Sequence, residues 1–498
     1  MNTSHSATMP RFPTGIEGLD SILRGGLLVG GVYIVQGIPG AGKTILANEI
    51  CYRHVGSGGR AIYVTLLAES HSRMLQHLSS LSFFDESVVP ERLYYVSAFR
   101  MLEDEGLKGL LGLLRREIRA QRSSLLILDG LVAAEESAPS SREFKKFIHE
   151  LQSHAVANEC TILLLTSGDD DMVRAEHTMV DGLIELGDQE FDLRTHRTLT
   201  VRKFRGSGFL RGKHSFRITS DGIKLFPRLE AALEQPSRED KGQGPKIPIG
   251  SPSLDRMLYG GLCGGSVTGL VGPTGAGKTM LSLQFLAQSS AKEPGLMVGF
   301  YESPSRLRLK ANSIGHSLDR HLDKGHVDII WLPQGEILLD EIGHRILQAV
   351  RKRNVKRLAI DGLGGIIASI TYQERIGRYM ACLMNELRVM GVTALLTIES
   401  SDIVGPALKV PVVGISALVE NLIFLRFVER DATLSRLISV TKMRNGDYDQ
   451  YVRELIIGNN GIEVGEPLFG LEGSMTGIGR RPAVVVSKKS SARRAKKK

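Results

Sequence analysis

Two short stretches of the chain have the residue types and spacing to hold a phosphate chain. Gly37-Ile38-Pro39-Gly40-Ala41-Gly42-Lys43-Thr44 and Gly272-Pro273-Thr274-Gly275-Ala276-Gly277-Lys278-Thr279 both read GxxxxGK[ST]. The glycines Gly37, Gly40 and Gly42, like Gly272, Gly275 and Gly277, let successive backbone N–H groups turn inward around phosphate. The helix that follows adds its positive end. Lys43 and Lys278 are set to reach the β and γ phosphates, and Thr44 and Thr279 to offer a hydroxyl to Mg²⁺. Asp129 and Asp361 close the apolar runs Leu125–Leu128 and Leu358–Ile360. An acid at such a strand end holds the water shell of Mg²⁺. ATP and Mg²⁺ are therefore the expected cofactors. Hydrolysis also needs a group that orients or deprotonates water. Glu69, in Leu66-Leu67-Ala68-Glu69-Ser70, and Glu302, in Gly299-Phe300-Tyr301-Glu302-Ser303, are the candidates. Thr166, Ser167 and Thr397 offer hydroxyls to sense the γ-phosphate.

Strands and helices must position these groups. In the first half, Gly31–Gln36, Ala61–Leu67, Leu125–Asp129 and Thr161–Thr166 read as strands. Leu107–Arg122 and Arg142–Asn158 read as helices between them. The strand runs are apolar without alternation, which marks strands covered on both faces. Right-handed crossovers then give an α/β fold with a mostly parallel sheet flanked by helices. From Thr198 to Leu225 the pattern changes to short strands with glycine turns, expected as an antiparallel extension. The lone tryptophan, Trp331, is expected to pack inside.

The chain repeats itself. Thr14-Gly15-Ile16-Glu17-Gly18-Leu19-Asp20 returns as Ile249-Gly250-Ser251-Pro252-Ser253-Leu254-Asp255, and the phosphate loops return at the same offset of 235 residues. Lys203-Phe204-Arg205 returns as Lys442-Met443-Arg444. Repeated motifs in one order mark a tandem duplication. Residues 235–248 have linker composition. The expected domains are 1–238 and 239–472, followed by a basic tail at 473–498.

Composition bounds the function. The chain has 498 residues and a net charge of +9. The last eleven residues, Lys488–Lys498, hold seven Lys or Arg and no acid, so the body is nearly neutral. That argues against a nucleic-acid motor; weak contact through the tail is the remaining route. The basic row Arg194–Arg217, free of acids, is either a solvated strand or a surface for a polyanion. Four scattered cysteines without a CxxC pair argue against a zinc knuckle and a disulfide framework. No apolar run is long enough to span a membrane, and no secretory signal is visible, so a cytoplasmic protein is expected.

The opening Thr14–Leu27 with its Gly25-Gly26-Leu27, the doubled phosphate loops, Lys203-Phe204-Arg205-Gly206, His214-Ser215-Phe216 and Lys442-Met443-Arg444 resemble the KaiC family of tandem RecA-type ATPases, circadian clock proteins. The resemblance spans roughly residues 11–469. It implies two tandem RecA-like P-loop domains and a homo-hexamer with ATP between protomers. Lys203, Arg205, Lys442 and Arg444 would then reach a neighbour's phosphates. The family carries two adjacent glutamates at the end of the second strand; here each pair is halved, so the remaining acid either activates water or only helps bind Mg²⁺. The family's autophosphorylated Ser-Thr pair corresponds to Ser416-Ala417, which leaves one-site phosphorylation of Ser416 open and excludes two-site phosphorylation there. Signalling or clock-type protein partners follow from the resemblance. Two other readings stay open: a DNA-acting ATPase of the RecA or DnaB kind, and a slow nucleotide-gated scaffold.

Overall fold

The computed structural model describes residues 9–67, 71–168, 175–191, 193–240, 242, 244–400, 415–430, 433–444 and 446–468. The chain divides into two compact units, Met1–Glu234 and Gln235–Lys498.

The first unit is built on a nine-stranded sheet. Val32–Gly37 lies near its centre, between Thr161–Thr166 and Gly182–Phe191, parallel to both. Leu125–Asp129, Ala61–Thr65 and Leu93–Ser97 continue the parallel side in that order. Three antiparallel strands, Arg194–Phe204, Lys213–Thr219 and Gly222–Phe226, complete the other side. Successive residues of each central strand face opposite cores. Tyr33, Val35, Tyr63, Ile127 and Leu163 pack in one cluster with helix Lys43–Gly56. Ile34, Ile62, Val64, Leu126 and Leu164 pack in another, with helices Phe99–Gln121 and Ser141–Ala157. Burial on both faces is why these strands show no polar alternation. The second unit repeats the plan: Val267–Gly272, Gly295–Gly299, Val327–Trp331, Arg357–Asp361 and Thr393–Glu399 are parallel, and an antiparallel set follows from Asn421 to Pro467.

The structure adjusts several expectations. Leu93–Ser97 is a strand that the sequence reading passed over, since its side chains are only half-buried at the sheet edge. The second strand stops at Thr65, not Leu67. There Leu66 N donates to Asp129 O at 2.8 Å and Leu67 N to Thr65 Oγ1 at 3.2 Å, which turns the chain out of the ladder. The antiparallel extension begins earlier, at Arg194, where an eleven-residue strand pairs with the ten-residue strand Gly182–Phe191. Trp331 is 42% exposed, because it ends the edge strand Val327–Trp331.

The opening motif is a brace. Asp20 accepts from Thr14 N at 2.8 Å, Thr14 Oγ1 at 2.7 Å and Gly15 N at 3.1 Å. Asp255 does the same for Ile249 N and Gly250 N. The basic row has local partners too. Arg202 pairs with Glu185 at 2.6 Å, and Arg197 with Asp188 at 3.4 Å, both across the hairpin. No helix among the described residues is long and apolar enough to cross a membrane.

Candidate functional site

Each phosphate loop joins a buried central strand to a helix. Val32–Gly37 leads into helix Lys43–Gly56, and Val267–Gly272 into Lys278–Leu286. The residue before each helix, Gly42 or Gly277, has φ of 101° or 106°. Only glycine takes that left-handed conformation without cost, and it aims the first helical N–H groups into the loop. Gly37 and Gly272 are needed for a different reason. A Cβ there would stand 2.4 Å from Leu186 O or 2.5 Å from Leu425 O on the neighbouring strand.

The two lysines fold back over their loops in the same way. Lys43 Nζ donates to Gly37 O at 2.6 Å and Ile38 O at 3.0 Å. Lys278 Nζ donates to Gly272 O at 2.7 Å and Pro273 O at 2.8 Å. Burial lowers the proton affinity of both ammonium groups. Asp129 opposes the shift at Lys43; Glu399 and Asp361 oppose it at Lys278. Lysine and acid therefore face one space in each unit.

In the first unit that space is a cavity of about 530 Å³, lined among others by Gly40, Gly42, Lys43, Thr44, Asp129 and Ser167. Tyr63, wholly buried, donates its phenol to Asp129 Oδ2 at 2.6 Å. Glu69 lies outside the described residues. Thr166 is buried and donates to Ser167 O at 3.4 Å.

In the second unit the polar groups are tied together. Asp361 accepts from Thr279 Oγ1 at 2.9 Å and from Thr397 Oγ1 at 2.8 Å. Thr397 in turn accepts from Gly362 N at 2.7 Å. Burial raises the proton affinity of Asp361, the two hydroxyls oppose this, and the nearby Glu302 charge adds to it. Glu302 itself is held in an ion pair by Lys310 of helix Pro304–Ser313. Its other oxygen, Oε2, is buried without a hydrogen bond. A hydroxyl, two carboxylates, a lysine and a ring of loop N–H groups suit a triphosphate with a hard divalent cation.

The Lys-x-Arg triplets hold backbone carbonyls within their own unit. Lys203 Nζ donates to His177 O at 3.0 Å and Thr178 O at 2.8 Å. Arg205 donates to Thr178 O at 2.7 Å and Met179 O at 3.2 Å. These carbonyls end the short helix Ala175–Met179. In the second unit Lys442 donates to Ser416 O and to Val419 O, the latter at 2.7 Å, and Arg444 to Ala417 O at 3.1 Å. Cations at helical C-termini satisfy carbonyls that the helix leaves open. Ser416 is exposed on helix Ile415–Leu418, directly beside this pair.

Sequence reasoning missed Tyr63, Lys310 and Glu399. Tyr63 sits inside an apolar run and reads as core. Lys310 reads as one charge on a solvated helix. Glu399 carried a usable signal: like Asp361, it is an acid ending an apolar strand.

A family model described as ATPase: KaiC matches residues 12–230 and again 247–468. The Circadian clock oscillator protein KaiC of Picosynechococcus is 27% identical over 488 residues, covering 95% of this chain and 92% of that protein. Circadian clock protein KaiC2 of Synechocystis is 27% identical over 495 residues, covering 96% and 85%. Circadian clock oscillator protein KaiC 1 of Synechocystis is 24% identical over 484 residues, covering 95% and 92%. With its family domain present in both halves, the chain belongs to the KaiC ATPase family.

Proposed function

We propose that the chain is a Mg²⁺-dependent ATP hydrolase that works as a nucleotide-driven hexameric switch, with Ser416 as its phosphate acceptor. The observation that carries the hydrolase reading is the Thr279–Asp361–Thr397 hydrogen-bond cluster facing Lys278 across the loop. A Mg²⁺ held there would supply positive charge to offset that developing on the phosphates. Thr44 with Asp129, and Thr279 with Asp361, would hold it and its water. Glu302, beside Asp361, would activate water or extend that shell. Lys43 and Lys278 leave their carbonyls for the β and γ phosphates, which offer a full charge in place of a dipole. Glu69 is the corresponding carboxylate proposed for the first unit.

The hexamer reading rests on the family and on the four triplet cations. A cation supplied by a neighbour completes the site only on assembly. In the isolated chain Lys203, Arg205, Lys442 and Arg444 are parked on carbonyls, weaker partners than phosphate. Ser416 stands against Lys442, so a cation that meets phosphate would bring the acceptor with it. A clock-type or other signalling partner would then read the nucleotide or phosphate state. The paired hairpin charges weigh against a polynucleotide partner for the basic row.

One incubation of the purified chain with γ-labelled ATP and Mg²⁺ tests this, following free phosphate and protein-bound label together. Phosphate release with label on Ser416, lost in Ser416→Ala, is the expected result. Release without label removes the acceptor from the reading and leaves the hydrolase. No release and no label, with tight ATP binding, would establish a nucleotide-gated scaffold instead.

A further inference from the structure

Each unit carries an acid that joins its Lys-x-Arg triplet to the strand bearing its phosphate loop. In the second unit that acid is Glu420, which is buried. Its Oε2 accepts from Val267 N at 2.8 Å, and its own N–H donates to Val267 O at 3.0 Å. Val267 begins strand Val267–Gly272, which runs into the loop. The Glu420 carbonyl accepts from Arg444 N at 3.1 Å, and Lys442 Nζ holds the preceding carbonyl, Val419 O, at 2.7 Å. The other carboxylate oxygen, Oε1, pairs with Arg388 of helix Ile376–Val389 at 2.8 Å. Asp181 does the same work in the first unit. Its carboxylate accepts from Val32 N at 2.9 Å, and its N–H donates to Val32 O at 2.8 Å. Its carbonyl accepts from Arg205 N at 2.7 Å.

Register sets both triplets at the foot of the central strand. Asn421 stands between Thr268 and Met443, and Gly182 between Tyr33 and Phe204. The loops begin at the other end, at Gly37 and Gly272. Each central strand has six residues, about 17 Å at the usual rise and more than an arginine side chain spans. Arg205 and Arg444, level with the first strand residue, are therefore out of reach of their own loop.

A cation that must meet a phosphate on another molecule needs a fixed root. Lysine and arginine have long, mobile stems, and a misplacement of about 1 Å can cost about 10²-fold in rate. Here the acid takes up that freedom: two bonds fasten it to the strand, and its carbonyl fastens the triplet. We propose that Asp181 and Glu420 are positioning residues, which set the Lys-x-Arg cations where a neighbouring protomer's phosphates can meet them. This rests on the hexamer reading. In the second unit Arg388 stiffens the arrangement, because it holds the Glu420 carboxylate and Leu418 O together.

The test crosses full chains in mixed rings. It reads phosphate release above that of Lys278→Ala alone, which is the first unit's share. Glu420→Ala alone is expected to lower second-unit turnover about 10²-fold. It should bind a fluorescent ATP analogue as tightly as a Lys442→Ala, Arg444→Ala chain does. Mixed with Lys278→Ala it is expected to regain turnover, because about a quarter of the interfaces in a random ring join an intact loop to well-placed cations. Mixed with the Lys442→Ala, Arg444→Ala chain it should regain none, since both lack working cations. The reverse pattern overturns the proposal, because Glu420 would then serve its own loop. Regain in neither mixture, or loss of analogue binding, also overturns it, since Glu420 would then only brace the fold. Turnover that survives Glu420→Ala overturns it and leaves the hexamer reading standing. If Lys278→Ala and the triplet variant do not restore each other, the hexamer reading falls and this proposal with it. Asp181→Ala, crossed with Lys43→Ala and with a Lys203→Ala, Arg205→Ala chain, repeats the test in the first unit and should give the same pattern.

Discussion

The Tyr63 phenol donates to the Asp129 carboxylate at 2.6 Å, a bond made deep inside the first unit's sheet. Burial, together with the Asp129 charge, holds the phenol's pKa well above its ordinary value, so it stays a donor. The second unit serves its acid differently. Thr397 supplies a hydroxyl from the strand on the other side of Asp361, at 2.8 Å. Tyr63 pairs with Ile127 and Leu165 with Asp129; the second unit sets Met297 opposite Ala359 and Thr397 beside Asp361. The two halves have exchanged which strand carries the hydroxyl and which carries the apolar side chain.

Tyr63→Phe removes that donor and keeps the ring. A hydrogen bond to a charged group contributes about 1.5–3 kcal/mol. The first unit is expected to unfold at lower urea concentration. In a Lys278→Ala background, its ATP turnover should also need more Mg²⁺. An unchanged Mg²⁺ requirement would confine Tyr63 to packing.

Thr397→Val deletes both bonds of the hydroxyl, to Asp361 and from Gly362 N. Outer partners of metal-side ligands typically matter by about 10–100-fold in metal affinity. Mg²⁺ titration of second-unit turnover should show a shift of that order. Thr397→Ser, which keeps the hydroxyl, should stay near the parent. Equal behaviour of the two variants would sink the assignment.

The triplet cations admit a mixing experiment. Lys278→Ala removes the phosphate lysine of one protomer type. A Lys442→Ala, Arg444→Ala protomer keeps its loop and lacks the cations. Each alone should have second-unit turnover reduced by about 10² or more, as for other cations supplied in trans. Mixed, they should regain a fraction of it, because a few interfaces combine an intact loop with intact cations. A mixture no more active than its parts would place the cations in their own protomer's site.

His321 supplies a pH dependence. Burial, then the neighbouring His326, His316 and Lys324 charges, push its pKa below the ordinary 6.5. The unfolded chain then takes up the proton first as pH falls. Stability from this group is full above about 6.5 and is lost as pH falls through the lowered folded value. The urea midpoint of the second unit should therefore be lower at about pH 5.5 than at about pH 7.5. His321→Gln should reduce that difference. A slope unchanged in the variant would assign the effect to other groups.

Much of the site is legible in the residues alone because it is contiguous. A phosphate loop is a local object: its glycines, lysine and threonine act from adjacent positions, so spacing reveals them. Asp129 and Asp361 are nearly local, since each ends a strand whose apolar run is visible. The doubling was legible as well, because motifs returned in one order at a nearly constant offset. Glu302 follows the visible apolar strand Gly295–Gly299, yet its partner Lys310 is a helical residue whose direction depends on how that helix packs. The triplets repeat visibly and the family resemblance singles out their cations, while the carbonyls they hold belong to helices that are distant in sequence.

What the sequence determined by itself was the pair of phosphate-binding units, their parallel α/β sheets and their lysine, hydroxyl and acid sets. Tertiary structure alone decided which groups meet those acids: Tyr63 in one unit, Thr397 in the other, with Glu399 brought against Thr274. The reason is the parallel ladder. It sets side by side strands that are far apart along the chain, and a one-residue difference in register would turn each of these side chains to the opposite face.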